Sequence, residues 1–252
     1  MKNVTLATYS PTLTGLKAAR MIGEGLGGAR EIDLAKPEIV EYRFTEDDLV
    51  VFAAPVYSGR LPRLAAERLK AIRGERALAV AVAVYGNRDY DDALLELKDI
   101  LEEDGFIVVA CAAFIGEHTY SAKFGTGRPD AKDAETARAF GRAVAEKIEA
   151  GAPYADVQVK GNRPYKPLPA SHPVPLCSDD CVLCGACARS CPAGAIPENE
   201  PNTTDGDACI ACGRCIRVCP TQARNFPAPF LQAVETRLAP VCAEYKLPET
   251  YL

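Results

Sequence analysis

Through the first 150 residues, short apolar runs alternate with stretches of helical period. The runs fall at 3–8, 31–34, 48–54, 77–85 and 106–115. Between most of them lie amphipathic stretches, roughly 15–24, 62–72, 89–103 and 130–150; only the connection from 34 to 48 lacks one. Such alternation predicts parallel strands joined by helices that cover both faces of one sheet. A continuously apolar run such as ALAVAVAVY at 77–85 is what a strand buried on both faces requires. Five units of this kind predict an open, doubly wound α/β sheet, for which 2-1-3-4-5 is one known strand order.

The rhythm stops after residue 150. The stretch 151–176 carries six prolines and little periodicity, which predicts an extended linker lying on a surface. From 177 to about 226 the chain is rich in cysteine and short of apolar mass, so it cannot build an ordinary core unaided. The tail, 227–252, contains PFLQAVETRLAPVCAEY, which reads as a short helix with its apolar face on the body.

Composition changes this picture in few places. The chain has 252 residues, 48% hydrophobic and 25% charged, which is ordinary for globular proteins. A net charge of −5 argues against nucleic acid as the main partner and allows docking to a basic protein. No run is long enough to span a bilayer, and the start, MKNVTLATYS, lacks a secretion pattern, so a cytoplasmic location is expected. There, eleven cysteines point to metal rather than disulfides.

Eight of the eleven form a repeat: Cys181-x2-Cys184-x2-Cys187-x3-Cys191-Pro192, then Cys209-x2-Cys212-x2-Cys215-x3-Cys219-Pro220. Thiolates suit iron–sulfur clusters or zinc. Three cysteines at this spacing let one tight turn reach three corners of a cube, and the fourth, before proline, is directed to the other cluster. The expected ligand sets are therefore crossed: Cys181, Cys184, Cys187 and Cys219 in one, Cys209, Cys212, Cys215 and Cys191 in the other. Gly185 and Gly213 stand where the backbone turns close to sulfur. Two zinc sites are the alternative, although zinc spacings normally separate CxxC pairs more widely. Cys111 reads as a core residue; Cys177 and Cys242 fall outside the repeat. The segment resembles the bacterial-type ferredoxins with two [4Fe–4S] clusters, all eight ligand positions matching. It differs in the acidic stretch AGAIPENEPNTTDGDA between the units. Ala223 and Arg224 also stand where small apolar residues are often found, a difference that bears on cluster potential.

A doubly wound sheet binds ligands at the carboxyl ends of its strands. The first such loop, Thr8 to Gly15, is rich in hydroxyls and leads into a helix; it reads equally as a phosphate site or as a plain capping turn. The loops Ala54–Pro62 and Tyr85–Tyr90 each offer aromatics, a glycine and polar groups, suited to a flat ring. The domain looks like a short-chain flavodoxin, and the whole chain is similar to the flavodoxin–ferredoxin fusion proteins of the EFR1 type. The motifs SPTLTG, PVYSGRLP, YGNRDYDDAL and FIGEHTYS…GRPD carry that likeness. It implies a flavodoxin-like five-stranded α/β domain binding FMN at 1–150, then a small α+β two-cluster ferredoxin-like domain at 177–226. By the same resemblance Ser10, Thr12, Leu13 and Thr14 belong to the phosphate loop, with Leu13 where the family usually has glycine. Pro55, Val56, Tyr57 and Gly59 would line one side of the flavin ring. Tyr85, Gly86, Asn87 and Tyr90 would line the other.

Gly23-Glu24-Gly25-Leu26-Gly27-Gly28 fits G-x-G-x-x-G but follows a helix and precedes a strand, so it reads as a helix end. His118 and Lys123 lie in the loop after the last strand, where a histidine near a flavin would tune protonation; a plain surface loop is the simpler reading. The acidic runs at 46–48 and 89–92 read as solvated helix starts. The chain is expected to be an electron carrier that wires FMN through two [4Fe–4S] clusters to a redox protein partner. The alternatives are a small-molecule reductase fed by the clusters, and an iron–sulfur scaffold on a flavodoxin fold without flavin. A homodimer is compatible with the sequence.

Overall fold

In the computed structural model, which describes residues 2–38 and 40–252, the five expected strands form. The body runs β1 (Asn3–Thr8), α1 (Thr14–Gly25), β2 (Arg30–Asp33), β3 (Tyr42–Thr45), β4 (Asp48–Pro55), α2 (Arg63–Leu69), β5 (Ile72–Glu75), β6 (Leu78–Tyr85), α3 (Ala93–Glu103), β7 (Ile107–Ile115) and α4 (Ala131–Ala150). Strands β2-β1-β4-β6-β7 are neighbours in that order and all parallel, which is the flavodoxin-like arrangement. The sheet is buried on both faces. Ala18, Ile22, Phe140 and Val144 of α1 and α4 cover one face, and Leu69, Leu94, Leu97 and Leu101 of α2 and α3 cover the other.

Helices α1 and α4 cross in near backbone contact. A Cβ on Gly141 would lie 2.3 Å from the Ile22 carbonyl oxygen, and one on Gly25 would lie 2.3 Å from that of Arg138. The glycine-rich stretch is thus a helix end, as read: α1 stops at Gly25, and the Gly28 N–H donates to the Gly23 carbonyl at 2.9 Å.

The structure corrects the body in two places. The helix expected to reach residue 72 ends at Leu69, and Ile72–Glu75 forms β5, parallel to β3 in the connection that lacked a helix. Burial alternates along β5, with Ile72 and Gly74 inward, so the period there is two. The run 46–48 is a turn into β4, where Asp48 Oδ2 accepts from Thr45 N at 2.8 Å, and no helix starts there.

Beyond the body come β8 (Leu176–Cys177), α5 (Ala186–Arg189), α6 (Arg214–Arg217), β9 (Arg224–Asn225), α7 (Ala228–Cys242) and β10 (Glu249–Tyr251). Strands β8 and β9 pair antiparallel and close the cysteine-rich segment at its base. The stretch before β8 has no helix or strand from 151 to 175, but it is strapped down. Val157 enters the core on the α2/α3 face. Asp92 accepts from the N–H groups of Asn162 (2.8 Å) and Lys166 (2.7 Å), and Asp91 from Lys166 Nζ (2.8 Å). The acidic run 89–92 is therefore the anchor of the linker instead of a solvated helix start. The tail helix packs on the body, where Val234, Leu238 and Cys242 cluster with Phe124. Beyond it, β10 adds a sixth strand, antiparallel to β7, that the sequence reading lacks.

Candidate functional site

The cysteine repeat folds into two cavities. Cys181, Cys184 and Cys187 line the first together with Cys219. Cys209, Cys212 and Cys215 line the second together with Cys191. Each tight turn passes through a left-handed glycine, Gly185 at φ 72° and Gly213 at φ 73°, before a single helical turn. Among the described residues no three Cys, His, Asp or Glu side chains converge on the position of one metal ion. The thiols suit a metal group electrostatically. Burial pushes Cys212 up to about 12 and Cys215 up to about 11, so neither ionises at neutral pH without a compensating charge beside it. Burial opposes ionisation of Cys219 as well, but the Thr221 hydroxyl and the N–H groups of Arg224, Ala223 and Thr221 hold it below its usual value. Cys111 is buried in β7, and Cys242 is buried against the Gly86 carbonyl.

The carboxyl ends of β1, β4 and β6 and the loop after β7 enclose a cleft of about 980 Å³, its open mouth included. Of the residues expected there, Ser10, Thr12, Thr14, Pro55, Val56, Tyr57, Gly59, Tyr85 and Gly86 line it. Among the described residues, no group in the chain accepts from the N–H groups of Thr12, Thr14 and Gly15 at the start of α1. No acidic residue lies in that first turn, and the Thr12 and Thr14 hydroxyls stand 3.4 Å apart. Open N–H groups, hydroxyls and a helix N-terminus fit a phosphate. Ser10 Oγ already accepts from Leu16 N at 3.1 Å and keeps its hydrogen to donate.

Three expected residues lie elsewhere. Leu13 takes the left-handed conformation a glycine would adopt freely (φ 65°), and its exposed side chain leans over a shallow hollow beside α1. Asn87 is buried outside the cleft, donating to the carbonyls of Cys242 (2.8 Å) and Glu244 (3.0 Å). Tyr90 is fully buried beneath Tyr85, its hydroxyl 2.7 Å from both Glu249 Oε2 and Tyr251 OH. Asn87 and Tyr90 thus hold the C-terminal tail.

The tail in turn completes the cleft. Val234, Arg237 and Leu238 of α7 line it, as do Glu117, His118, Thr119 and Tyr120. Burial, with the Arg237 charge second, pushes His118 down to about 4, so the ring is neutral at physiological pH. Its Nδ1 accepts from Tyr120 N at 3.2 Å, which leaves the proton on Nε2. A Cβ on Gly86 would lie 2.5 Å from this ring, so glycine is needed for the loop to close.

The second cysteine site packs against this cleft. Tyr120 donates to the Ala211 carbonyl (3.1 Å), Arg214 to that of Pro11 (2.8 Å), and Arg68, buried beside Tyr9, to that of Pro192 (2.5 Å). Burial holds the phenols of Tyr9, Tyr57 and Tyr120 above their usual value, and for all three the neighbouring charge of Cys212 is the next cause. Tyr57 and Tyr120 both line the cleft, and through its bond to Ala211 Tyr120 also touches the second cysteine segment.

Residues 180–223 match the family model of a 4Fe-4S dicluster domain. A search of curated proteins finds no match. Among solved structures the chain is similar to a flavodoxin from the domain Archaea, at 15% identity over 59% of this chain and 99% of that one, TM-score 0.38. It is similar to the Streptococcus pneumonia TIGR4 flavodoxin, at 15% identity over 57% and 99%, TM-score 0.42. A third is rubredoxin oxygen:oxidoreductase from Desulfovibrio gigas, at 16% identity over 60% of this chain and 37% of that one, TM-score 0.43. The strand order of the body is flavodoxin-like on its own evidence, and the segment that follows it carries the 4Fe-4S dicluster match.

Proposed function

We infer that the chain is a flavodoxin–ferredoxin fusion of the EFR1 type, which passes electrons between FMN, two [4Fe–4S] clusters and an external redox partner. The observation that carries this reading is the shared wall: Tyr120 lines the cleft, and its hydroxyl donates to the carbonyl of Ala211, the residue before Cys212. FMN exchanges one or two electrons and a [4Fe–4S] cluster one, so together they interconvert pairs and singles. Ser10, Thr12, Thr14 and Gly15 hold the phosphate, and Pro55, Val56, Tyr57 and Tyr85 shape the slot for the ring. Val234 and Leu238 of α7 exclude water from the cleft, and neutral His118 offers its Nε2 proton as a donor there. The two crossed cysteine sets hold the clusters, and free thiolate ligands suit a reducing compartment such as the cytoplasm.

The partner meets the chain over the first cysteine site. There Cys184 is exposed, with Val182 64% and Leu183 60% exposed beside it. Asp179 and Asp180 are exposed next to them and form no ion pair among the described residues, so charge complementarity calls for a basic redox protein.

A second reading, an FMN-dependent reductase of a small anionic acceptor, is favoured by Arg237, a cation at the cleft with no ion-pair partner among the described residues. Anaerobic purification with flavin, iron and sulfide counted separates these readings. One flavin and about eight iron per chain, with slow turnover of organic acceptors, supports the carrier. Steady turnover with one anionic acceptor supports the reductase, and iron without flavin sinks both. Tyr57→Ala is expected to weaken flavin binding roughly tenfold at unchanged iron content; full flavin occupancy in that variant removes Tyr57 from the site.

A further inference from the structure

Arg224 is only 2% exposed, in a segment with little apolar core to bury it. Its guanidinium donates to Thr204 Oγ1 (2.7 Å) and to the carbonyls of Thr203 (2.8 Å) and Pro201, all of them uncharged. Its Nε is buried with no hydrogen-bond partner. The only ion pair formed within 176–226 among the described residues joins Arg217 to Glu117 of the body, so no carboxylate neutralises Arg224. A buried cation is costly unless an anion faces it.

The anions at hand are sulfur. Arg224 lines the first cavity with Cys181, Cys184, Cys187 and Cys219. Its guanidinium also bonds Thr204, which lines the second cavity with Cys191, Cys209, Cys212 and Cys215. The side chain thus stands between the two cysteine sets. Holding the 201–204 turn in place needs only hydrogen bonds, and an uncharged side chain would supply those at lower desolvation cost.

We propose that Arg224 is the shared counter-charge of both cysteine sites, a positioning residue that raises the reduction potential of the iron–sulfur groups held there. The inference rests on the reading of the two cavities as 4Fe–4S sites. When a site is reduced, the redox partner loses one electron and the site gains one, with no bond made or broken and no proton required. The site becomes more negative by one charge, and a fixed cation nearby favours that form. Net charge and surroundings are among the factors that set cluster potentials. The effect is largest where water cannot screen it.

The test is a redox titration of the anaerobically purified full chain, followed by electron paramagnetic resonance, with iron counted in each sample. Arg224→Gln is expected to move both midpoints to more negative values, and Arg224→Lys to keep them near wild type. Arg189 lies against Gly185 at the rim of the first site but is exposed, so Arg189→Gln is expected to leave the midpoints in place. If Arg224→Gln loads iron fully and its midpoints do not move, the proposal fails. If that variant does not load iron, the lysine variant decides. Full loading with wild-type midpoints upholds a need for charge. Loss of iron there too shows a mere clamp of the 201–204 turn and overturns the proposal. A wild-type chain without clusters would instead overturn the functional reading beneath it.

Discussion

The body before residue 150 and the segment after 176 obtain their order from different chemistry. In the body, Val50, Val51 and the run Val80–Ala83 are wholly buried, and four amphipathic helices close over them. Each fully buried aliphatic side chain contributes about 1.5–3 kcal/mol. In the cysteine segment one buried cluster holds six residues, Cys187, Ala188, Cys191, Ala195, Ile196 and Cys215, and three of them are cysteines. Fixing each backbone residue costs about 1–2 kcal/mol, which so few methyl groups cannot offset. Sulfur–metal bonds and the contact with the body must supply the rest. The difference teaches that the two regions should fail separately and for different reasons.

The largest separation is expected from Cys191→Ala. If the sets are crossed, this change empties the second site, built mainly by Cys209, Cys212 and Cys215, and leaves the first intact. Iron per chain should fall by about half. Hydrogen exchange should rise around 209–215 while β4, β6 and β7 stay protected. Iron loss confined to the first site would break the crossed assignment. A body that loses protection as well would break the comparison itself.

The mirror-image experiment perturbs the body alone. Gly141→Ala drives a Cβ into the Ile22 carbonyl, where both helices must part. Overpacking of this kind costs about 1–3 kcal/mol. At about 2–4 °C of melting temperature per kcal/mol, the body should melt several degrees lower with iron content unchanged. A variant that melts like wild type would mean that α1 and α4 are not seated as closely as the structure has them.

The same contrast governs how much could be read in advance. The five parallel strands were legible because burial on both faces writes a continuous apolar run. The grouping of the cysteines around two cavities was legible because ligand spacing is rigid. What escaped depends on distant partners. Strand β10 is three residues, Glu-Thr-Tyr, with no strand pattern; it exists because the edge of β7 is free to pair. Tyr90 and Asn87 looked like cofactor residues because a loop aromatic and amide are ambiguous alone. Their partners, Glu249, Tyr251, Cys242 and Glu244, lie more than 150 positions away. Val234, Arg237 and Leu238 were legible as a helix face, but nothing local told which end of the sheet that face would cover. Leu13 is the reverse case: its departure from glycine was visible, and the backbone took the glycine conformation regardless.

The smallest effect probes the seam between the two regions, where His118 sits with Tyr120 against it and Arg237 reaching over from α7. Its folded value of about 4 lies below the usual 6.5 of a histidine, first from burial and then from Arg237. The unfolded chain therefore binds more protons here between pH 4 and 6.5. The stabilisation from the neutral ring is complete above 6.5 and is lost as pH falls through that window. Discounted for partial exposure, it is worth about 1 kcal/mol between pH 7 and 5. Asp104, raised by burial, pulls the other way at the acid end, so the readout is a difference between variants and not the raw slope. His118→Gln keeps an acceptor for Tyr120 N but cannot take up a proton. Its melting temperature should fall less than that of wild type between pH 7 and 5, with Arg237→Gln in between. Equal slopes in all three would show that the ring titrates as freely as in the unfolded chain. The seam would then be open to water, and the cleft would lack the closed wall that separates the flavin-like site from solvent.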